Sequence, residues 1–158
     1  MPQQSINTQR VKKVLFGDID ISNRLITQTD LSFAFPSKMP ILPGHILICP
    51  FRRIEKMEEL TKEELYDLFS LIANIKSAHS KEFDATGFNT AWNENIVAGQ
   101  TVPHLHVHIV PRNESDKSIT DYEPRQFLYR PGLRECSPEE ELANVAIILG
   151  KHFKRTCL

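Results

Sequence analysis

The sequence predicts a single α+β domain in which two main helices pack on a mostly antiparallel sheet. Three observations predict this class: short apolar runs bounded by proline or glycine, a central helix with a clear start signal, and an amphipathic helix near the C-terminus. The chain has 158 residues, the usual size of one domain. We expect an N-terminal extension over residues 1–13 and one domain over residues 14–158.

Five segments account for the turns and strands of this prediction. The runs 31–35 and 45–49 are apolar and stop at prolines, with a tight connection over residues 40–44 between them. Residues 88–92 read as a further strand, and residues 104–110 as a strand ended by a proline. A loop over residues 93–100 joins these last two strands.

The central helix is predicted to begin after Thr61, because Thr61 and Glu64 form a capping box, and to end near Phe83. His79 on this helix and His152 near the C-terminus are expected to be solvated. The expected buried stripe consists of Leu65, Leu68, Phe69, Ile72 and Ile75.

The C-terminal helix is predicted over about residues 138–153, with Ser137 as its cap and Pro138 at its first helical position. Its expected buried stripe consists of Leu142, Val145, Ala146, Leu149 and Phe153. The polar segment at about 112–136 has no clear periodicity, which is typical of a functional loop or flap.

Composition narrows the class of function. Nineteen basic residues balance twenty acidic ones, so the chain lacks the basic stripe of a nucleic-acid partner. No window approaches roughly 18 consecutive apolar residues, and no secretory signal is present, so we expect no membrane partner and a cytoplasmic location. Three widely spaced cysteines without a CxxC pair argue against a disulfide framework and a thiolate zinc site.

The run His104-Leu-His106-Val-His108 carries the strongest functional signal. In a strand the three imidazoles would project to one side, roughly 6.5–7 Å apart, and the intervening apolar side chains to the other. A solvated strand face, a zinc site completed by His45 or a carboxylate, and phosphate chemistry are the three interpretations. The third is favoured, since a neutral imidazole is a competent nucleophile toward phosphorus.

In that interpretation His106 attacks phosphorus, and its far nitrogen is oriented by an acceptor such as a backbone carbonyl. His104 and His108 can donate to phosphate oxygens as charge develops on them. Gln100 and Thr101 supply further neutral donors just upstream.

The stretch Gly99-Gln-Thr-Val-Pro-His-Leu-His-Val-His-Ile-Val110 resembles the signature of the histidine triad (HIT) proteins, His-φ-His-φ-His-φ-φ with φ apolar. The stretches 31–35 and Pro43-Gly-His-Ile-Leu-Ile-Cys-Pro50 are also similar to strands that build the nucleotide pocket of that family. The resemblance covers roughly residues 14–112. It is greatest with the Fhit branch, the dinucleoside polyphosphate hydrolases.

The resemblance implies a HIT-like α+β fold that dimerises through its sheet and the helix at 61–83. It implies that His106 forms a nucleotidyl-histidine that water then hydrolyses. By the same resemblance His108 and Gln100 hold the α-phosphate oxygens, and Thr101 lies near the leaving group. His104 organises the site, with His45 bonded behind it.

The nucleotide pocket is also assigned by this resemblance. Ser37 stands where the Fhit branch has an asparagine for the ribose, and Asn93 is the residue that the Hint branch carries, where the Fhit branch has a glutamine. Both departures bear on the substrate class. The base would be sandwiched by Phe16, Ile21, Phe35 and Leu47, for which ordinary core packing is the alternative interpretation.

We therefore expect a hydrolase that cleaves a dinucleoside polyphosphate of the diadenosine tri- or tetraphosphate type at the α-phosphate. The alternatives are a nucleoside phosphoramidase of the Hint type and a non-catalytic nucleotide- or zinc-binding signalling module. The expected partners are an adenosine-type nucleotide and a second copy of the chain. We expect no cofactor and no protein-bound metal to be required for the chemistry, although a divalent ion could accompany the substrate.

Overall fold

The computed structural model describes residues 12–115 and 136–153 of the chain. The expected extension falls almost wholly outside the described residues, as does most of the predicted 112–136 loop. Within the described parts, no helix is long and apolar enough to cross a membrane.

The centre of the fold is a five-stranded sheet whose spatial order is β3-β4-β5-β7-β6 and whose neighbouring strands are all antiparallel. A separate two-stranded hairpin, β1 with β2, precedes it. With two helices, this architecture confirms the predicted fold class. The strands are β1 (Leu15–Phe16), β2 (Ile19–Asp20), β3 (Thr27–Gln28), β4 (Ser32–Pro36), β5 (Ile46–Pro50), β6 (Gly87–Ala91) and β7 (Val107–Arg112).

The predicted histidine strand is shifted along the chain. Strand β7 begins at Val107 rather than His104, because His104 sits in a bend where its ring is bonded to other segments. At its other end β7 continues through Pro111 to pair with β6. Pairing with β5 covers only residues 107–109, so Pro111 lies beyond the part of β7 that has strands on both sides.

Helix α1 spans Lys62–Glu82, and the predicted capping box is present: Glu64 N–H donates to the Thr61 hydroxyl, and Thr61 N–H donates to the Glu64 carboxylate. The predicted buried face is wrong in part, because Leu65 is 39% exposed and Phe69 is 56% exposed. The carboxylate of Glu64 also accepts bonds from Arg52, which turns this side of the first turn inward. The buried face consists of Glu64, Leu68, Leu71, Ile72, Ile75, Ala78 and His79.

The prediction that His79 is solvated is wrong, because His79 is fully buried. The same prediction holds for His152, which is exposed and follows the end of the C-terminal helix. Its Nε2 lies 2.6 Å from the carboxylate of Glu82 at the end of α1.

Helix α2 spans Glu139–Gly150. Its cap is Pro138 rather than Ser137, whose N–H instead donates to the carbonyl of Lys38. An ion pair of 2.7 Å between Glu139 and the buried Arg24 also ties the start of α2 to the β2–β3 connection. The buried positions of α2 are Leu142, Ala146 and Leu149, with Val145 and Phe153 partly buried against the same core.

The sheet separates two apolar clusters. The larger one lies between the sheet and both helices and includes Ile46, Ile48, Val107 and Ile109. The smaller one lies on the opposite face, where the β1–β2 hairpin covers the sheet. Its members are Val14, Phe16, Ile21, Phe33, Phe35, Leu47 and Cys49. Since Leu47 pairs with His108, the histidine run belongs to this second face.

Candidate active site

His106 is oriented by the backbone of its own segment. Its Nδ1 lies 2.8 Å from the carbonyl oxygen of His104. A carbonyl can only accept, so Nδ1 carries the proton and Nε2 of the neutral ring carries a lone pair. The ring is only 6% exposed, and burial lowers its pKa below the ordinary value, against the opposing effect of the His104 carbonyl. The arrangement therefore presents a neutral nucleophile at Nε2.

His108 is set by a relay that begins in the β4–β5 connection. The N–H of Ile41 donates to Nδ1 of His45 over 3.1 Å, so the proton of neutral His45 is on Nε2. That nitrogen lies 3.0 Å from Nδ1 of His108, which must accept. The proton of neutral His108 is consequently on its Nε2, where it can serve as a donor. The rings of His106 and His108 lie 5.0 Å apart.

His104 has a different role from its two neighbours. The N–H of Gly17 donates to its Nδ1 over 3.0 Å, and its Nε2 lies 2.7 Å from the carbonyl of Pro50. Both ring nitrogens are thus committed to backbone groups of the hairpin and of β5. The expectation that His45 is bonded behind His104 is wrong, because the relay joins His45 to His108 instead. His104 holds the hairpin against the sheet.

Gln100 joins two loops beside the triad. Its side-chain oxygen accepts the N–H of Asn95 over 2.8 Å, and its amide donates to the carbonyl of Glu55 over 2.8 Å. The side chain is 4% exposed, and one amide hydrogen is left for a ligand. Thr101 next to it is exposed, and Asn93 is half-buried. Contact of Gln100 with the α-phosphate, of Thr101 with the leaving group and of Asn93 with the nucleotide stays a prediction.

The profile of the HIT domain family matches residues 19–115, which include the three histidines and His45. The chain belongs to the HIT domain family. It is 39% identical over 110 residues to the bis(5'-nucleosyl)-tetraphosphatase [asymmetrical] of Schizosaccharomyces pombe, covering 70% of this chain and 60% of that relative. It is 43% identical over 93 residues to the bis(5'-adenosyl)-triphosphatase of Dictyostelium discoideum, covering 59% of this chain and 62% of that relative.

Among solved structures, the fold is similar to that of the Plasmodium falciparum diadenosine triphosphate hydrolase in complex with cyclomarin A. The TM-score is 0.70 at 25% identity, covering 91% of this chain and 86% of that one. The chain spans about three fifths of the length of the two curated relatives.

The expected base pocket of this HIT domain is filled by its own walls. Phe16, Ile21, Phe35 and Leu47 are each 6% exposed or less and pack in one cluster. The ring centroids of Phe16 and Phe35 are 5.2 Å apart, whereas two walls that enclose a base need about 7 Å between them, two van der Waals layers. In this conformation the four side chains pack as a core, and a base can enter between Phe16 and Phe35 only after those rings separate.

The hairpin that carries Phe16 also touches the triad. The Phe16 ring meets the ring of His106 edge-on at 5.0 Å. At the hairpin tip, Gly17 has a φ of +58°, and Asp18 forms a 2.9 Å ion pair with Arg53. Opening the base pocket by moving the Phe16 ring would therefore also change the contact of that ring with His106.

Ser37 lies at the opposite end of the site from Gln100. It is 7% exposed, and its N–H donates to the carbonyl of His45. Together with His45, Glu141 and the 40–44 turn it lines a cavity of about 170 Å³. Binding of a ribose hydroxyl by Ser37 stays a prediction.

Within residues 12–115 and 136–153, no group of three or more His, Cys, Asp or Glu side chains is placed to hold a metal ion. The backbone occupies both ring nitrogens of His104, so a zinc site at this run would have to be built from His106, His108 or His45. The zinc interpretation stays an alternative.

Sequence reasoning found the triad and expected an acceptor such as a backbone carbonyl behind His106, but it did not identify the residues that orient His104, His45 and Gln100. Gly17 and Ile41 act through a backbone N–H, which every residue type except proline carries. Pro50 and Glu55 act through a backbone carbonyl, which every residue type carries. Only Gly17 left a signal, as a glycine between two short apolar runs.

Proposed function

We propose that this HIT protein hydrolyses dinucleoside polyphosphates, of the diadenosine tri- or tetraphosphate type, at the α-phosphorus. The observation that carries the proposal is the 2.8 Å hydrogen bond from His106 Nδ1 to the His104 carbonyl, which leaves a lone pair on Nε2. The names of the curated relatives, a bis(5'-nucleosyl)-tetraphosphatase and a bis(5'-adenosyl)-triphosphatase, support the same substrate class.

The reaction takes two steps. Nε2 of His106 attacks the α-phosphorus, the bond from phosphorus to the bridging oxygen breaks, and the second nucleotide leaves. The imidazole of the resulting nucleotidyl-histidine is cationic, and its Nδ1–H still donates to the His104 carbonyl. Water then attacks the same phosphorus, which releases a nucleoside monophosphate and restores the neutral ring.

His108 is suited to stabilise both transition states. Its Nε2–H, fixed by the relay from Ile41 through His45, can donate to a non-bridging phosphate oxygen as negative charge grows there. Gln100 is proposed to add its remaining amide hydrogen, and Thr101 to contact the leaving group. These donors are neutral, which suits a chain whose net charge is −1.

The proposal is tested by trapping the intermediate. The protein is mixed with diadenosine tetraphosphate labelled at the α-phosphate and quenched in alkali, which preserves a phosphoramidate but not an acyl phosphate. We expect label on the wild type and on His152→Asn, a matched control outside the site, but none on His106→Ala. Equal labelling of His106→Ala, or turnover without it, contradicts the proposal.

Asn93 favours a second substrate class, because it is the residue that the Hint branch carries at this position. Trapping cannot separate the two substrate classes, since the same intermediate would form from either. The turnover rates of an adenosine phosphoramidate and of the diadenosine substrate, assayed side by side, separate them. If neither substrate turns over while His106→Asn and wild type both bind nucleotide, the chain is a binding module rather than an enzyme.

We also propose that the chain forms a homodimer through α1 and the adjoining sheet. Strand β6 lies at an edge of the sheet, and Leu65, Tyr66 and Phe69 expose 39%, 79% and 56% of their surfaces on α1. Such an exposed apolar group is typical of an interface. Phe69→Glu should shift the mass measured by light scattering from dimer to monomer, whereas a monomeric wild type refutes the proposal.

The nucleotide is proposed to be of the adenosine type, and the triad itself needs no cofactor. A divalent ion that accompanies the polyphosphate would raise activity with the substrate without binding the free protein. Isothermal titration of Mg²⁺ into protein with and without substrate distinguishes this from a protein-held ion. The expected cytoplasmic location stays a prediction.

A further inference from the structure

One buried histidine lies on the helix side of the sheet, away from the triad and next to the turn that leads into His45. His79 of α1 is 0% exposed. Its ring lies 5.3 Å from the ring of Phe83 and 6.2 Å from the ring of Phe88. Neither ring nitrogen makes a hydrogen bond of standard geometry among the described residues, although the backbone of Gly44 lies close enough to favour the charged ring. A buried imidazole with so weak a polar contact is costly, so its packing against its neighbours needs a separate explanation.

The contact that His79 makes with Gly44 supplies that explanation. Gly44 has a φ of +85°, and a Cβ built on it would lie 2.9 Å from Cε1 of His79 and 3.3 Å from Cγ of Pro111. The imidazole edge therefore packs against the Gly44 backbone with no space for a methyl group between them. The ring acts on the turn through its shape.

The same turn fixes the ring of His45. The N–H of His45 donates to the carbonyl of Leu42, the carbonyl of His45 accepts the N–H of Ser37, and its Nδ1 accepts the N–H of Ile41. These three bonds join His45 to Ile41 and Leu42, in the turn that contains the left-handed Gly44, and to Ser37 just after β4. Since Nε2 of His45 lies 3.0 Å from His108 Nδ1, a shift of the turn is passed to His108.

We propose that His79 is a positioning residue of the site, which supports the Gly44–His45 turn and thereby holds His108 in the tautomer that bears its proton on Nε2. Helix α1 is in this way coupled to the phosphate-facing side of the sheet, although His79 touches no part of the triad. The role in turnover rests on the proposed function, but the effect on His108 is a property of the resting protein.

The test reads the tautomer directly. Long-range ¹⁵N–¹H spectra of uniformly labelled protein distinguish an Nε2–H histidine from an Nδ1–H one or from a mixture. We expect His108 to be a single Nε2–H tautomer in the wild type and a mixture in His79→Ala. Ile75→Ala is the matched control, because Ile75 is also 0% exposed and lies one turn earlier on the same face of α1. It should lower stability without changing the His108 signals.

A double variant tests the contact itself. In Gly44→Ala the added methyl group would lie 2.9 Å from Cε1 of His79 and 3.3 Å from Cγ of Pro111, at a φ of +85° that strains any side chain, so the variant should disturb His108 strongly. His79→Ala removes only the first of these strains. The pair together should therefore lie partway from the Gly44→Ala spectrum toward the wild-type spectrum. If His79→Ala does not fold, His79→Leu replaces it, since leucine fills the apolar volume without the flat edge against Gly44.

Kinetics follow from the same change. Loss of the fixed donor should slow single-turnover labelling of His106 about 10-fold, as for other partners that orient a functional histidine, with KM changed less than about twofold. An unchanged His108 tautomer in a folded His79 variant, or a double variant as disturbed as Gly44→Ala, overturns the inference. If no nucleotide substrate were turned over, the proposed function would be refuted instead, and the spectra of His108 would still test the role of His79.

Discussion

Burial of the neutral His79 ring should make the stability of this domain fall as the pH drops below 6.5. Burial lowers the pKa of His79 from 6.5 to about 4, and the nearby backbone of Gly44 opposes this only in part. Between these two values the unfolded chain binds a proton that the folded chain does not. The part of the free energy of unfolding that depends on the neutral His79 ring is therefore fully present above pH 6.5 and is lost as the pH falls toward 4.

The size of the effect follows from the two pKa values. The whole difference corresponds to about 3 kcal/mol, of which about 2 kcal/mol is lost by pH 5. His79→Leu removes the titrating group but keeps an apolar side chain of similar volume. Its stability at pH 7 should lie within about 1 kcal/mol of the wild type, because a buried polar group without partners is replaced by an apolar one.

The assay is urea denaturation of both proteins from pH 7.5 to 4.5. His104 and His106, whose pKa values burial also lowers, are present in both proteins, so their contribution cancels in the difference. The free energy of unfolding of the wild type should fall by about 2 kcal/mol more than that of His79→Leu between pH 7 and 5. Parallel curves would show that His79 does not titrate as a buried neutral ring.

Three further predictions follow from the contacts of the site and of α1. Replacing His45 with Phe removes the donor to His108 and should slow single-turnover labelling of His106 about 10- to 100-fold; an unchanged rate would contradict the relay. Gln100→Leu leaves the N–H of Asn95 without its acceptor and should lower stability in urea by about 1–3 kcal/mol, which a fully stable variant would disprove. Arg52 and the cap hold the pKa of Glu64 at about 2, against an ordinary 4.5. Glu64→Gln should therefore lower the free energy of unfolding by about 2 kcal/mol at pH 7, after allowance for the half-exposed Arg52. The difference in stability between wild type and variant should disappear as the pH falls from 4.5 toward 2, which acid denaturation of both proteins measures.

The sequence predicted helix and strand boundaries well where a boundary depends on residues that are close in the chain. The capping box of Thr61 marks the start of α1 because both of its hydrogen bonds close within four residues. The face that α1 buries was harder to predict. Leu65 and Phe69 fit the apolar period, but Arg52, twelve residues before Glu64, pairs with that carboxylate and draws the polar side chain inward instead.

The candidate site shows the same division. The spacing of the histidine run predicted that the chemistry lies there, yet it also predicted a strand through His104. That part failed because His104 is bonded to Gly17 and Pro50, residues 87 and 54 positions away in the chain. The packing of Phe16 against Phe35 is the alternative that the sequence left open, since the resemblance named both residues for a pocket and core packing was the other interpretation.

Three identical side chains in one short run therefore do three different things, and the hydrogen-bond partners of their ring nitrogens decide which. A carbonyl at Nδ1 makes His106 a lone-pair donor at Nε2, while an imidazole N–H at Nδ1 makes His108 a proton donor at the same atom. A backbone N–H at Nδ1 and a carbonyl at Nε2 give His104 a structural role, in which it joins the β1–β2 hairpin to β5. Because the roles of His104 and His108 are set by partners outside the run, altering such a partner should change a role while all three histidines remain. The variants at His45 and His79 are informative for this reason, since they leave the triad intact and change only what orients it.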